Sequence, residues 1–275
     1  IIEITETELY VRTLDAADPN LAWYHKFTST PGGGDSDDEY VFTDLVWEDD
    51  FNTDGAPDSS KWTYDLGTTD IFGNNGWGNQ EAQSYTDNAE NVIVESGSLK
   101  ITAKKEGNDY TSARIKTQGL YDFTYGRVEV RAKLPSAQGT WPAIWMLGSN
   151  HPTVGWPSSG EVDIMEQRGN DKSYVEGTCH WYNTAGSNNA SYGETTSIEN
   201  PSTEFHLYTL EWTEDAIKIF LDDVKYYELP NSADLPFNAD FYLILNVAMG
   251  GTNGGDIDPA FTQDTMEIDY IKVFQ

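Results

Sequence analysis

Only one cysteine, Cys179, occurs among the 275 residues, so an internal disulfide framework is excluded. It lies in GTCHWY, a predicted strand, and reads as buried packing rather than as a nucleophile. Basic residues are also scarce: 16 Lys and Arg stand against 46 Asp and Glu, a net charge of −30. Such a surface repels phosphates and anionic lipid heads, which argues against nucleic acid, membranes and sulfated polyanions as partners. Solubility accounts for much of the same charge. No apolar run approaches the ~18 residues of a membrane helix, and no amphipathic helix of convincing length appears.

Aromatic residues, by contrast, are plentiful: 9 Trp, 16 Tyr and 11 Phe make up 13% of the chain. An aromatic-rich core uses some of them, but each buried indole N–H needs a partner. The other use is a sugar cleft, where flat rings stack on the apolar faces of pyranoses. The chain divides in two. Residues 1–40 read as an N-terminal extension, closed by PGGGDSDDE (Pro31–Glu39), whose glycines and acids have linker composition. Residues 41–275 hold short β-rich runs such as SLKITAKK, YGRVEVRAKL and FYLILNVAM, separated by Gly, Asn, Asp and Pro. In RVEVRAKL the period is two, with Val128, Val130, Ala132 and Leu134 on one face. This pattern predicts an all-β, two-sheet antiparallel sandwich of the jelly-roll kind with a concave cleft.

One segment carries most of the chemistry, SSGEVDIMEQRGN (Ser158–Asn170). In a plain strand Glu161 and Asp163 share a face, and alternation sends Glu166 into the core. A buried, unpaired carboxylate is too costly there. A β-bulge near Ile164–Met165 returns Glu166 to the acidic face, and bulges favour active sites. Three carboxylates on one face raise one another's pKa and disfavour folding. Glycoside hydrolysis with retention uses such a cluster, with two carboxyls ~5–5.5 Å apart. A solvated acidic strand and a calcium site remain alternatives from the charge pattern alone.

GEVDIMEQRG resembles the bulged E-x-D-x-x-E signature of glycoside hydrolase family 16, of the laminarinase (endo-1,3-β-glucanase) type. LVWEDDFN, GWGNQEAQSYT, SARIKTQG, YGRVEVRAKLP, GTWPAIWML and FYLILNVAMGG extend the resemblance over residues 45–275. It implies a retaining endo-β-glucanase acting on β-1,3 bonds of laminarin-like glucan, and on mixed-linkage β-1,3-1,4 glucan. Glu161 then matches the nucleophile, Glu166 the acid/base and Asp163 the residue steadying the nucleophile. Asn79, Arg114, Trp141, Trp145, Trp156 and His180 resemble substrate-site residues. Core packing is the other reading of either Trp141 or Trp145, and a surface strand position that of Arg114. No cofactor is implied for catalysis. A structural calcium is implied, held by Asp269 and the carbonyls of Glu48 and Gly97; an exposed strand acid is the other reading of Asp269. The late run GGTNGGDIDPAF departs from the family by lacking a Trp soon after GG, which bears on chain-length preference. Alternatives are a galactan hydrolase of the same family, acting on agar or carrageenan, and a non-catalytic glucan-binding domain. A monomer is expected, in a secreted or cell-surface location; that location follows from the substrate, since IIEITETELY is not a leader.

Overall fold

The computed structural model describes residues 40–275, and the backbone of three N-terminal strands, Ile2–Thr5, Glu8–Leu14 and Ala22–Thr28. The predicted linker Pro31–Glu39 lies outside the described residues. Two large, mostly antiparallel sheets face each other, as the period-two runs predict. One sheet is ordered Thr63–Asp65, Arg114–Lys116, Phe241–Met249, Thr140–Gly148, Glu161–Glu166, Tyr174–Asn183 and Asn188–Ser197. The N-terminal strands continue it: Ala22–Thr28 pairs in parallel with Asn188–Ser197 through Ala22↔Ala190 and Trp23↔Ser191. The opposing sheet is built around Gly126–Lys133 and Gln263–Phe274.

Alternation sets the core. Val128, Val130 and Ala132 are fully buried between the sheets, while the intervening charged residues are half-buried on the other face. TEDAIKIFLDD forms a strand, Ala216–Leu221, and not a helix. Its hairpin turns on Asp222 and Asp223, both at positive φ (49° and 63°), as a tight turn matching strand twist requires. Among the described residues, α-helix is limited to two four-residue turns, His151–Val154 and Gly251–Gly254.

Phe241–Met249 is an interior strand of the first sheet, and all nine of its residues are buried. Phe241, Leu243, Leu245, Val247 and Met249 join the core between the sheets. The alternate face supplies Tyr242 and Ile244, which pack with Leu147 and Trp145 in a small cluster of their own. Tyr242, Asn246 and Ala248 on that face line an open cleft of about 650 Å³. One face of the sheet thus seals the sandwich while the other floors the cleft.

Candidate active site

The acidic strand Glu161–Glu166 lies in that floor, and it is bulged. Along one edge Trp145 opposes Asp163 and Ile144 opposes Met165, so Ile164 has no cross-strand partner. Along the other, pairing jumps from Asp163↔Thr178 to Glu166↔Glu176. Ile164 and Met165 are therefore both free to enter the core, and both are completely buried there. The inserted residue brings Glu166 back to the side of Glu161 and Asp163, and all three carboxylates line the cleft.

Their surroundings suppress ionisation. Burial first, and then the neighbouring Asp163, push the carboxyls of Glu161 and Glu166 up to about 8. Asp163, only 3% exposed, is raised well above the usual range by burial and by Glu176. Opposing this, His180 favours the charged forms of Glu161 and Glu166, and a hydrogen bond from Trp141 favours that of Glu166. Trp141 Nε1 donates to Glu166 Oε1 at 2.7 Å. His180, opposite Glu161 on Tyr174–Asn183, brings Nε2 to 3.3 Å from Asp163 Oδ2 and 3.9 Å from Glu161 Oε1. The cluster titrates as a coupled set, so the three carboxyls do not all ionise together near neutral pH. A site that keeps one carboxylic acid protonated beside a carboxylate can donate a proton and attack from the same strand.

The cleft walls gather the other sequence candidates. Arg114 lies between two indoles, with its guanidinium carbon 4.8 Å from the Trp77 ring and 4.6 Å from the Trp145 ring. Trp145 Nε1 donates to Asn246 Oδ1 at 2.8 Å. Trp141 is only 8% exposed, so it holds Glu166 more than it offers a stacking face. Trp156 is 49% exposed and lies against His180, ring centroids 5.9 Å apart. Asn79 also lines the cleft, donating from Nδ2 to Glu81 at 3.1 Å.

Several lining residues were not candidates from sequence. Asp65 binds both Arg114 Nε (3.1 Å) and Lys116 Nζ (2.5 Å), because Thr63–Asp65 pairs with Arg114–Lys116. Glu81 accepts from Asn79, Gln83 and Tyr85. Asn246 was detectable: it is the lone polar residue in the apolar run FYLILNVAM.

The implied calcium donors lie on the opposing sheet, Asp269 in Gln263–Phe274, Glu48 in Leu45–Asp49 and Gly97 in the turn before Ser98–Glu106. Asp269 is skipped in the register between Arg131↔Tyr270 and Ala132↔Ile268. On the other edge of the same strand, one ladder ends at Ile268↔Leu99 and another begins at Ile271↔Asp49. One carboxylate and two carbonyls form a hard-oxygen set that fits calcium. Arg131 bonds the Asp269 carboxylate and Lys61 Nζ the Glu48 carbonyl (2.7 Å), so an ion would displace both cations.

Residues 79–272 match the family model for glycosyl hydrolases family 16. The chain is 42% identical to a β-glucanase of Rhodothermus marinus, over 88% of this chain and 89% of that protein. Among solved structures it resembles a LamA variant of Z. galactanivorans in complex with laminaritriose and laminaritetraose. That match has a TM-score of 0.79 and 46% identity, covering 86% of this chain and 100% of the other. SCLam, a non-specific endo-β-1,3(4)-glucanase, matches with a TM-score of 0.76 and 41% identity, over 86% and 93% of the two chains.

Proposed function

This chain belongs to glycosyl hydrolases family 16, and on that premise we propose that it is a retaining endo-β-glucanase. Its substrates are internal β-1,3 bonds of laminarin-like glucan and accessible β-1,3 bonds of mixed-linkage glucan. The observation that carries this reading is the bulge that sets Glu161, Asp163 and Glu166 together in an open, Trp-lined cleft. Glu166 donates its proton to the glycosidic oxygen while a Glu161 oxygen attacks the anomeric carbon. The C–O bond to the leaving sugar breaks, and an ester to Glu161 forms. Esterification cancels the Glu161 charge, so the Glu166 carboxylate is stabilised and takes a proton from water, which then opens the ester. Asp163 and His180 hold Glu161, and Trp141 holds Glu166.

The cleft lining favours a neutral polymer over a sulfated galactan. Six carboxylates line it (Asp65, Asp70, Glu81, Glu161, Asp163, Glu166) against two permanent cations, Arg114 and Lys116. Both cations are held by the one Asp65 carboxylate, which cancels one of their two charges and leaves little positive charge for a sulfate. Reducing-sugar release is expected to be high on laminarin, detectable on mixed-linkage glucan and nil on carrageenan. Because stacking is insensitive to salt, the laminarin rate should barely change between low and marine ionic strength. Faster cleavage of carrageenan or agarose than of laminarin would overturn the glucan assignment, and no hydrolysis of any would favour the non-catalytic glucan-binding alternative. Acting on a polymer, the enzyme works outside the cell or at its surface, as a monomer without nucleic acid or membrane partners.

Two further expectations attach to this reading. Glu166 faces Asp163 on its own strand, His180 and Glu176 on the next, and Arg168 beyond the strand end. Arg168 donates from Nε and Nη2 to Glu176 Oε2 (3.2 and 3.0 Å), so the pair is nearly neutral beside the acid. Arg168→Met should leave Glu176 uncompensated and move the alkaline limb of kcat/KM up, by roughly half a pH unit. Glu176→Gln should move it down, and pH–rate profiles of both variants would read the opposite signs. A structural calcium at Asp269, Glu48 and Gly97 is the second. Calcium should raise Tm and a chelator lower it, with little effect on kcat, and Asp269→Ala should abolish the response. An undiminished response in that variant would put the ion elsewhere.

A further inference from the structure

Three residues of the hydrolytic site also form a metal-donor set, a use that hydrolysis does not require. Glu161, Asp163 and His180 each bring one ligand atom within 4.8 Å of the others. Zinc bonds such atoms at about 2.0–2.2 Å in a tetrahedral shell, so two of its ligands stand roughly 3.3–3.6 Å apart. His180 Nε2 and Asp163 Oδ2 are at 3.3 Å already, and His180 Nε2 and Glu161 Oε1 at 3.9 Å. Asp163 Oδ2 is buried and accepts no hydrogen bond. An acceptor so placed has lost its hydration without gaining a donor, which a cation would remedy. The open side of the cleft leaves room for a water as fourth ligand.

We propose that Glu161, Asp163 and His180 form a zinc-binding site whose occupancy blocks the cleft, making the protein reversibly inhibitable by borderline divalent transition ions. Imidazole with two carboxylates suits zinc and, more strongly, copper. Magnesium and calcium are hard ions that take oxygen ligands, so the imidazole nitrogen disfavours them here. A bound ion occupies the Glu161 oxygen that would attack the sugar, so zinc and glucan exclude each other. The competition rests on the glucanase reading, whereas the binding does not.

Titrating zinc chloride into the full chain by calorimetry, in a non-coordinating buffer, should give one site. His180→Ala and the milder His180→Gln, each checked for an intact circular dichroism spectrum, should bind at least about tenfold more weakly. His206→Ala, which removes an imidazole paired with Asp222 on the opposite sheet, should bind as the wild type does. With laminarin as substrate, zinc should raise KM and leave kcat unchanged, while magnesium at the same concentration does neither. Absence of wild-type binding, full affinity in both His180 variants, or loss of affinity in His206→Ala would each overturn the site. Competition by calorimetry with laminaritetraose separates the two readings, since exclusion of zinc by the sugar needs no turnover.

Discussion

Glu161→Ser should abolish laminarin hydrolysis and leave the fold intact. Serine is too short to reach the anomeric carbon and is a weak nucleophile, so kcat should fall on the order of 10⁴-fold or more. Residual turnover above about one per cent in a clean preparation would sink the nucleophile assignment. The same variant makes a prediction about stability with a definite sign. In the folded chain the Glu161 carboxyl is raised to about 8, so the native state holds a proton that the unfolded state releases. Stability from this group is fully present below the unfolded value, near 4.5, and is lost as pH rises through about 8. Removing the group removes that loss. Tm of the variant should therefore exceed that of the wild type by more at pH 9 than at pH 5. For a domain of this size 1 kcal/mol corresponds to ~2–4 °C, within reach of a thermal scan. Equal differences at both pH values would mean that Glu161 is not the strained member of the cluster.

The bulge was legible because two rules conflict within six residues. Strict alternation puts Glu166 in the core, and no carboxylate survives there unpaired, so an extra residue had to intervene. Ile164 and Met165, adjacent in sequence and both buried, are what that solution looks like. Alternation in RVEVRAKL was legible for the same reason, since each inward side chain is apolar and each outward one is not.

Non-local pairings were not legible. Asp65 and Arg114 are far apart in sequence, and only the pairing of their two strands brings them together. Sequence reading left Arg114 as either a sugar contact or a surface residue. It lines the cleft, packed between Trp77 and Trp145 and paired with Asp65, so the strand pairing fixes its place in the wall. Lys172 has no sequence signal at all. Its ammonium is buried on the Thr140 carbonyl (2.7 Å) and hydroxyl (2.9 Å), and burial lowers it to about 7. The glycine-rich run GGTNGG, read only as a departure from the family, has a packing cause. A Cβ on Gly169 would stand 2.0 Å from the Gly254 carbonyl oxygen, and one on Gly251 would stand 2.6 Å from that of Asn79. Thr252 N donates to that Asn79 carbonyl at 2.9 Å, so the run clamps the Asn79 loop at the rim of the cleft.

Glu166→Ala should separate the two halves of the reaction. On laminarin the leaving sugar alkoxide needs its proton, and loss of the general acid should lower kcat about 10²–10⁴-fold. An aryl glycoside of laminaribiose with a dinitrophenolate leaving group needs no such proton, so its first step should remain fast. The ester to Glu161 then accumulates, because no base activates water to open it. A burst of dinitrophenolate followed by a slow steady state is therefore expected, and KM should fall with kcat. Azide is small, already anionic and needs no base. It should restore turnover and give the β-glycosyl azide, since it attacks an α-linked ester from the opposite face. Trp141 gives the result a structural reading. Its indole N–H, now donating to Glu166 at 2.7 Å, loses its acceptor in the variant and opens a small space beside the ester. An α-azide, or a variant hydrolysing both substrates at wild-type rate, would show that Glu166 is not the acid/base.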